Sequence, residues 1–211
     1  MPTASRKKTH KRSGTLYVIS APSGAGKTTL SRMLLKKVSG LKHSVSYTTR
    51  APRKGEVNDV HYTFITEKKF KGMIARGEFA EWAMVHGNLY GTSANRLKKI
   101  KSEGYDIILD IDTRGAMQLK KSCKDAVFIF ILPPSMQALK KRLVGRGTDA
   151  ADIVARRLEN AKGEMAGCRD YDYIVVNDRL EKACNGLESI ITAVRLRTEH
   201  ADNKLINNFL K

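Results

Sequence analysis

The chain has 211 residues, 41% of them hydrophobic, and a formal net charge of +18. That apolar content suffices for one well-buried core, and no apolar run approaches the roughly 20 residues that span a bilayer, so no membrane segment is expected. Three cysteines, Cys123, Cys168 and Cys184, fall at spacings that match neither a metal site nor a disulfide framework, which reads as reduced thiols in a cytoplasmic protein.

In chain order, residues 1–13 come first and carry Arg6, Lys7, Lys8, Lys11 and Arg12 with no acidic residue. They read as a solvated arm suited to weak, salt-sensitive contact with nucleic acid, and the absence of a following apolar segment argues against a secretory signal. "TLYVIS" (15–20) reads as a strand, and "TTLSRMLLKKV" (28–38) as a helix, with Leu30, Met33, Leu34 and Val38 at helical spacing. Residues 44–92 mix short strands with the polar loop "RAPRKGEVND", as an inserted lobe would. "DIILDI" (106–111), "AVFIFIL" (126–132) and "DYIVV" (172–176) are the near-continuous apolar runs of strands covered on both faces. Ser135, after two prolines, is expected to cap the next helix. Residues 140–161 are arginine-rich and hold Gly145 and Gly147, suggesting a mobile lid, and 179–197 reads as a closing helix. The alternation implies an α/β fold with a doubly wound, mostly parallel sheet. Its core would comprise 14–43, 93–139 and 162–198, with 199–211 as a tail.

The first strand runs into "APSGAGKTT": Ala21, Pro22, Ser23, Gly24, Ala25, Gly26, Lys27, Thr28 and Thr29. The strand–loop–helix setting marks a phosphate-binding loop. Small residues let backbone N–H groups surround phosphate oxygens, the helix adds its positive N-terminal end, Lys27 reaches the β- and γ-phosphates, and Thr28 offers its hydroxyl to Mg²⁺. The strict pattern fails only at Ala21, which stands where a glycine is expected. A methyl group is tolerable there if φ stays negative.

In the inserted lobe, Arg50 and Arg53 flank Pro52 and could grip a dianionic phosphate between two planar forks. Tyr62, Glu81 and Tyr90 follow. At this point the chain resembles guanylate kinase: "APSGAGKTTL", "SYTTRAPRKGEV", "GNLYGTS", "ILDIDTRGA", "FILPPS", "KKRLVGRGT" and "YIVVND" occur in that family's order and spacing, from Gly14 to about Arg197. The resemblance implies the P-loop nucleoside monophosphate kinase fold, with lobe 44–92 binding GMP and lid 140–161 closing over ATP.

It also implies site residues. Ser46, Glu81 and Asp112 would line the guanine pocket, with Thr92 in place of a serine, while Arg50, Arg53, Tyr62 and Tyr90 would hold the monophosphate. Lys27, Arg50, Arg142, Arg146 and Arg157 would supply the catalytic cations. Arg142 and Arg146 are four apart and would share a helix face, with Arg157 near three turns further on if that helix continues. Asn177 would lie at the adenine rim of the ATP site. Asp110 and Asp112 close a strand and are expected on opposite faces, Asp110 joining Thr28 in the Mg²⁺ shell, partly through water, and Asp112 on the guanine side. ATP with Mg²⁺ and GMP or dGMP are then the ligands, and both a monomer and a homo-oligomer remain open. A peptide-binding scaffold domain of similar fold, a nucleic-acid-binding protein and a sugar-phosphate kinase are weaker readings: the phosphate loop is intact, no nucleic-acid motif appears, and Ser46 with Glu81 would have no purpose toward a sugar.

Overall fold

The computed structural model describes residues 13–85, 87–145, 150–201 and 203–210. Most of the basic arm, His86 and Arg146 lie outside the described residues.

Five parallel strands form the central sheet: β1 (Leu16–Ser20), β2 (Leu41–His43), β7 (Asp106–Asp110), β8 (Val127–Leu132) and β9 (Tyr173–Val176), in the order β2-β7-β1-β8-β9. Four match the apolar runs within a residue or two. β2 was not foreseen, because three residues carry no periodicity. Successive side chains enter opposite layers: Tyr17 and Ile19 pack with α1 (Lys27–Lys37) and α7 (Leu180–Arg195), while Leu16 and Val18 pack with α3 (Ala94–Ser102) and α4 (Thr113–Ser122). Helices therefore cover both faces, which explains why β1, β7 and β8 are apolar at nearly every position. Each fully buried Ile or Phe contributes about 1.5–3 kcal/mol relative to an exposed one. The closing helix is also tied down by charge: Arg195 Nε lies 2.7 Å from Oδ2 of buried Asp106, whose Oδ1 accepts from the Thr15 amide at 2.7 Å.

A second, mixed sheet is built from β3 (Tyr47–Thr48), β4 (Thr63–Phe64), β5 (Phe79–Val85) and β6 (Asn88–Ser93), in the order β4-β3-β6-β5. Helix α2 (Glu67–Ala75) is capped by Thr66 and contributes Phe70, which stacks on Phe79 at 4.4 Å between centroids.

Ser135 caps α5 (Met136–Val144) as expected, accepting from the Ala138 amide at 3.0 Å. Helix α5 ends at Val144 with Gly145 as its cap, and α6 (Ala151–Ala166) is a separate helix. Arg142 and Arg157 are thus on different helices, so the three-turn spacing that one continuous helix would give does not apply. Leu139, Leu143, Val154 and Ala161 join α5 to α6 in a cluster of their own. A short helix, α8 (Asn203–Phe209), occupies part of the segment read as a tail. No helix among the described residues is long and apolar enough to cross a membrane.

Candidate active site

The carboxyl ends of parallel strands are where an open α/β sheet places its site, because loops there diverge and leave a crevice. Here β1 delivers the phosphate loop and β7 delivers Asp110. Gly24 and Gly26 hold φ of 93° and 97°, values that only glycine adopts without strain. Asp59 is the sole non-glycine with positive φ among the described residues, so Ala21 keeps the negative φ that makes its methyl group harmless. A Cβ on Gly26 would stand 2.4 Å from Asn177 Nδ2, and one on Gly24 would stand 2.9 Å from Leu143 Cδ2. Helix α1 starts at Lys27 with no side-chain cap, leaving its first N–H groups for an anion. Thr28 and Thr29 follow, exposed, in that first turn.

Asn177, expected at the adenine rim, is 1% exposed and donates its amide to the Ala25 carbonyl at 2.7 Å. It braces the loop from beneath. Arg142 joins this brace, donating to the Asn177 carbonyl at 2.8 Å and to Ala25 O at 3.5 Å. Of the expected cations among the described residues, only Lys27 lines the cleft itself.

That cleft, of about 210 Å³, is lined by Lys27, Ser46, Tyr62, Glu81, Ala83, Val85, Tyr90, Asp110, Ile111 and Asp112. The central sheet and the inserted sheet each contribute a wall. Lys27 Nζ donates to Ile111 O at 2.9 Å, at the end of β7. Asp110 and Asp112 both face this cleft, contrary to the expectation of opposite faces. Residues two apart on a strand share a face, and here the strand stops at Asp110, leaving Asp112 to cap α4 by accepting from the Gly115 amide at 2.8 Å.

Glu81 is 5% exposed and accepts from the Thr92 hydroxyl at 2.5 Å. Burial, with Asp112 nearby, pushes its carboxyl up to about 7, although Thr92 and Lys27 favour the charge. Thr92 is fully buried behind Glu81 and is not among the cleft-lining residues. Gly115 was missed by the sequence reading: a Cβ there would meet Glu81 Oε2 at 2.5 Å. The signal was a glycine inside an otherwise helical "TRGAMQL".

Tyr62 and Tyr90 meet edge to face, 5.9 Å between centroids, and Arg50 lies over the Tyr62 ring at 5.6 Å. Burial, reinforced by Asp110, pushes the Tyr62 hydroxyl up to about 12, so it is a donor at neutral pH. One Arg50 nitrogen donates to both Glu56 oxygens, at 2.8 and 2.9 Å, and the Arg53 amide donates to Glu56 Oε2 at 2.7 Å. Burial opposes the Glu56 charge, but Arg50 outweighs it and the carboxyl sits below its ordinary range. The Arg53 side chain is exposed. Glu56, three residues after Arg53 in "RKGE", was not foreseen as its neighbour's partner. Neither was Glu164 of α6, which is held above the ordinary carboxyl range by burial and by Asp112, beside the Ser23 amide and Lys27.

Known proteins resemble this chain over most of its length. The guanylate kinase family model matches residues 13–194. A guanylate kinase of Geobacter metallireducens is 53% identical over 188 residues, covering 89% of this chain and 93% of the relative. One from Syntrophotalea carbinolica is 52% identical, covering 87% of each chain. The crystal structure of guanylate kinase from Anaplasma phagocytophilum superposes with a TM-score of 0.75 at 33% identity, covering 89% of both chains. A phosphate loop whose lysine opens into a cleft walled by a buried carboxylate and two tyrosines is thus found in a chain that belongs to the guanylate kinase family.

Proposed function

We infer that this chain transfers the γ-phosphoryl group of ATP to GMP, giving ADP and GDP, as a nucleoside monophosphate kinase of purine nucleotide metabolism. The observation that carries the assignment is that Lys27, the phosphate-loop cation, shares one cleft with Ser46, Glu81 and Asp112. Donor phosphate and acceptor base can then be held within a single enclosure, and positioning with charge neutralisation is most of what phosphoryl transfer requires.

We propose the following roles. Guanine offers an acceptor at O6 and donors at N1 and its exocyclic amine. Ser46 can donate to the first, while Glu81 and Asp112 accept from the others. Thr92 acts through Glu81, which it holds, and Gly115 leaves the room that the Glu81 carboxylate occupies. Arg50, Arg53, Tyr62 and Tyr90 hold the GMP phosphate, with Arg50 exchanging Glu56 for it. That phosphate is already a nucleophile, so no general base is needed. Residues 21–29 cradle the ATP phosphates, braced by Asn177, and Lys27, Arg142, Arg146 and Arg157 offset the charge of two phosphates brought together. Lobe 44–92 and lid 140–161 close on the nucleotides, which excludes water.

The donor set suits Mg²⁺. No group of three His, Cys, Asp or Glu able to hold a metal ion occurs among the described residues, so the ion's oxygens would come largely from nucleotide and water, as Mg²⁺ prefers. Thr28 and Asp110 would hold it, and when bound it neutralises charge on the β- and γ-phosphates. The carboxyl of Asp110 stays below its ordinary range: burial opposes the charge, but His43 and Lys27 outweigh it. Three free thiols support a cytoplasmic location, and dGMP, which differs only at the ribose, should also serve.

With γ-labelled ATP and GMP, label is expected in GDP; label released as inorganic phosphate would make the protein an ATPase instead. Gly115→Ala should raise KM for GMP about tenfold or more with little change in KM for ATP, because the methyl group would stand 2.5 Å from Glu81 Oε2 and must displace that carboxylate. Initial-rate kinetics in both substrates check this.

A further inference from the structure

We propose that His43 positions Asp110 for the Mg²⁺ shell; this rests on the reading of Asp110 as a carboxylate of that shell. His43 is the last residue of β2, which pairs in parallel with β7 so that His43 stands opposite Ile108, two residues before Asp110. Its Nε2 lies 2.9 Å from Asp110 Oδ1. A carboxylate oxygen accepts, so in this 2.9 Å contact the imidazole donates from Nε2. One carboxylate oxygen is thereby fixed by a partner on the neighbouring strand. His43 is not among the cleft-lining residues, so it acts through Asp110 rather than on either nucleotide.

The physical reason for such a partner is orientation. Asp110 ends its strand, beside Tyr62 and Lys27. With one oxygen held, the carboxylate enters the cleft in one rotamer, and the cation shell does not have to order it. Hydrogen-bonded partners of ligating carboxylates generally carry 10–100-fold in metal affinity or activity.

The test compares His43→Ala with His43→Gln, whose amide nitrogen can stand where Nε2 does. Mn²⁺ is titrated into the enzyme with the non-hydrolysable analogue AMPPNP, with free Mn²⁺ read by electron paramagnetic resonance. His43→Ala should weaken Mn²⁺ about tenfold and raise the Mg²⁺ needed for half-maximal turnover, with KM for GMP unchanged, whereas His43→Gln should recover to within about threefold of wild type. Wild-type Mn²⁺ affinity in His43→Ala, or equal impairment of both variants, would overturn the proposal. Asp110→Asn, measured alongside, separates the two claims. If it weakens Mn²⁺ while His43→Ala does not, only the positioning role fails; if it binds Mn²⁺ as tightly as wild type, the reading of Asp110 fails as well.

Discussion

At pH 8 the Glu81→Gln variant is expected to melt several degrees above the wild type while losing about 10²-fold or more in kcat/KM for GMP. The two effects share one cause. Glu81 is buried, and its carboxyl is raised from an ordinary 4.5 to about 7. A group raised in the folded state contributes stability below its unfolded value, and that contribution is lost as pH climbs through the folded value. By pH 8 the loss is about 3 kcal/mol, so the neutral amide, which can still accept from Thr92, should be the more stable choice. The difference should shrink as pH falls through 7 and vanish only below about 4.5, where the carboxyl is protonated in both the folded and the unfolded chain. Thermal melts of both proteins from pH 5 to 8 check the sign and the window. The functional loss arises because the glutamine that turns its oxygen to Thr92 turns its NH₂ toward guanine, donor against donor. A buried mispairing of that kind is what allows a polar site to discriminate. In the proposed role of Glu81, a charge that destabilises the fold is the one that accepts from the base.

Lys27→Ala should cost about 10³-fold or more in kcat with GMP binding little altered. Among the described residues its ammonium group is the only expected catalytic cation that lines the cleft, and it is poised between the phosphate loop and the end of β7 through its bond to Ile111 O. Removing it leaves the cradle of backbone N–H groups but no charge to follow the phosphoryl group between oxygens. Single-turnover rates alongside equilibrium GMP titrations separate the two terms. Loss of GMP affinity with an unchanged chemical rate would place Lys27 on the wrong substrate.

What the sequence made legible depended on how local the cause was. Gly24, Gly26 and Lys27 announce a phosphate loop because backbone conformation and charge are needed within six residues of one another. The runs 106–111 and 126–132 announce buried strands because both faces of the sheet are covered. Ser135 announces a cap. By contrast, β2 is too short for any period, and the pairing of Arg50 with Glu56 depends on how the polar loop folds back. Arg142 illustrates the limit most clearly: its spacing gave it a helix face shared with Arg146, whereas its carbonyl acceptors, Ala25 and Asn177, lie 117 and 35 residues away. Gly115 and Thr92 matter through Glu81, a relation created only when α4 packs on β5.

If one cleft pairs an ATP-bound phosphate loop with a guanine-reading pocket, the acceptor base decides turnover. The decisive measurement is release of ADP from ATP and Mg²⁺ with GMP, dGMP, AMP, CMP and UMP offered separately. Rapid turnover with GMP and dGMP, and roughly 10⁴-fold less with AMP, is the predicted result. Comparable rates with AMP, or tight GMP binding without turnover, would contradict it.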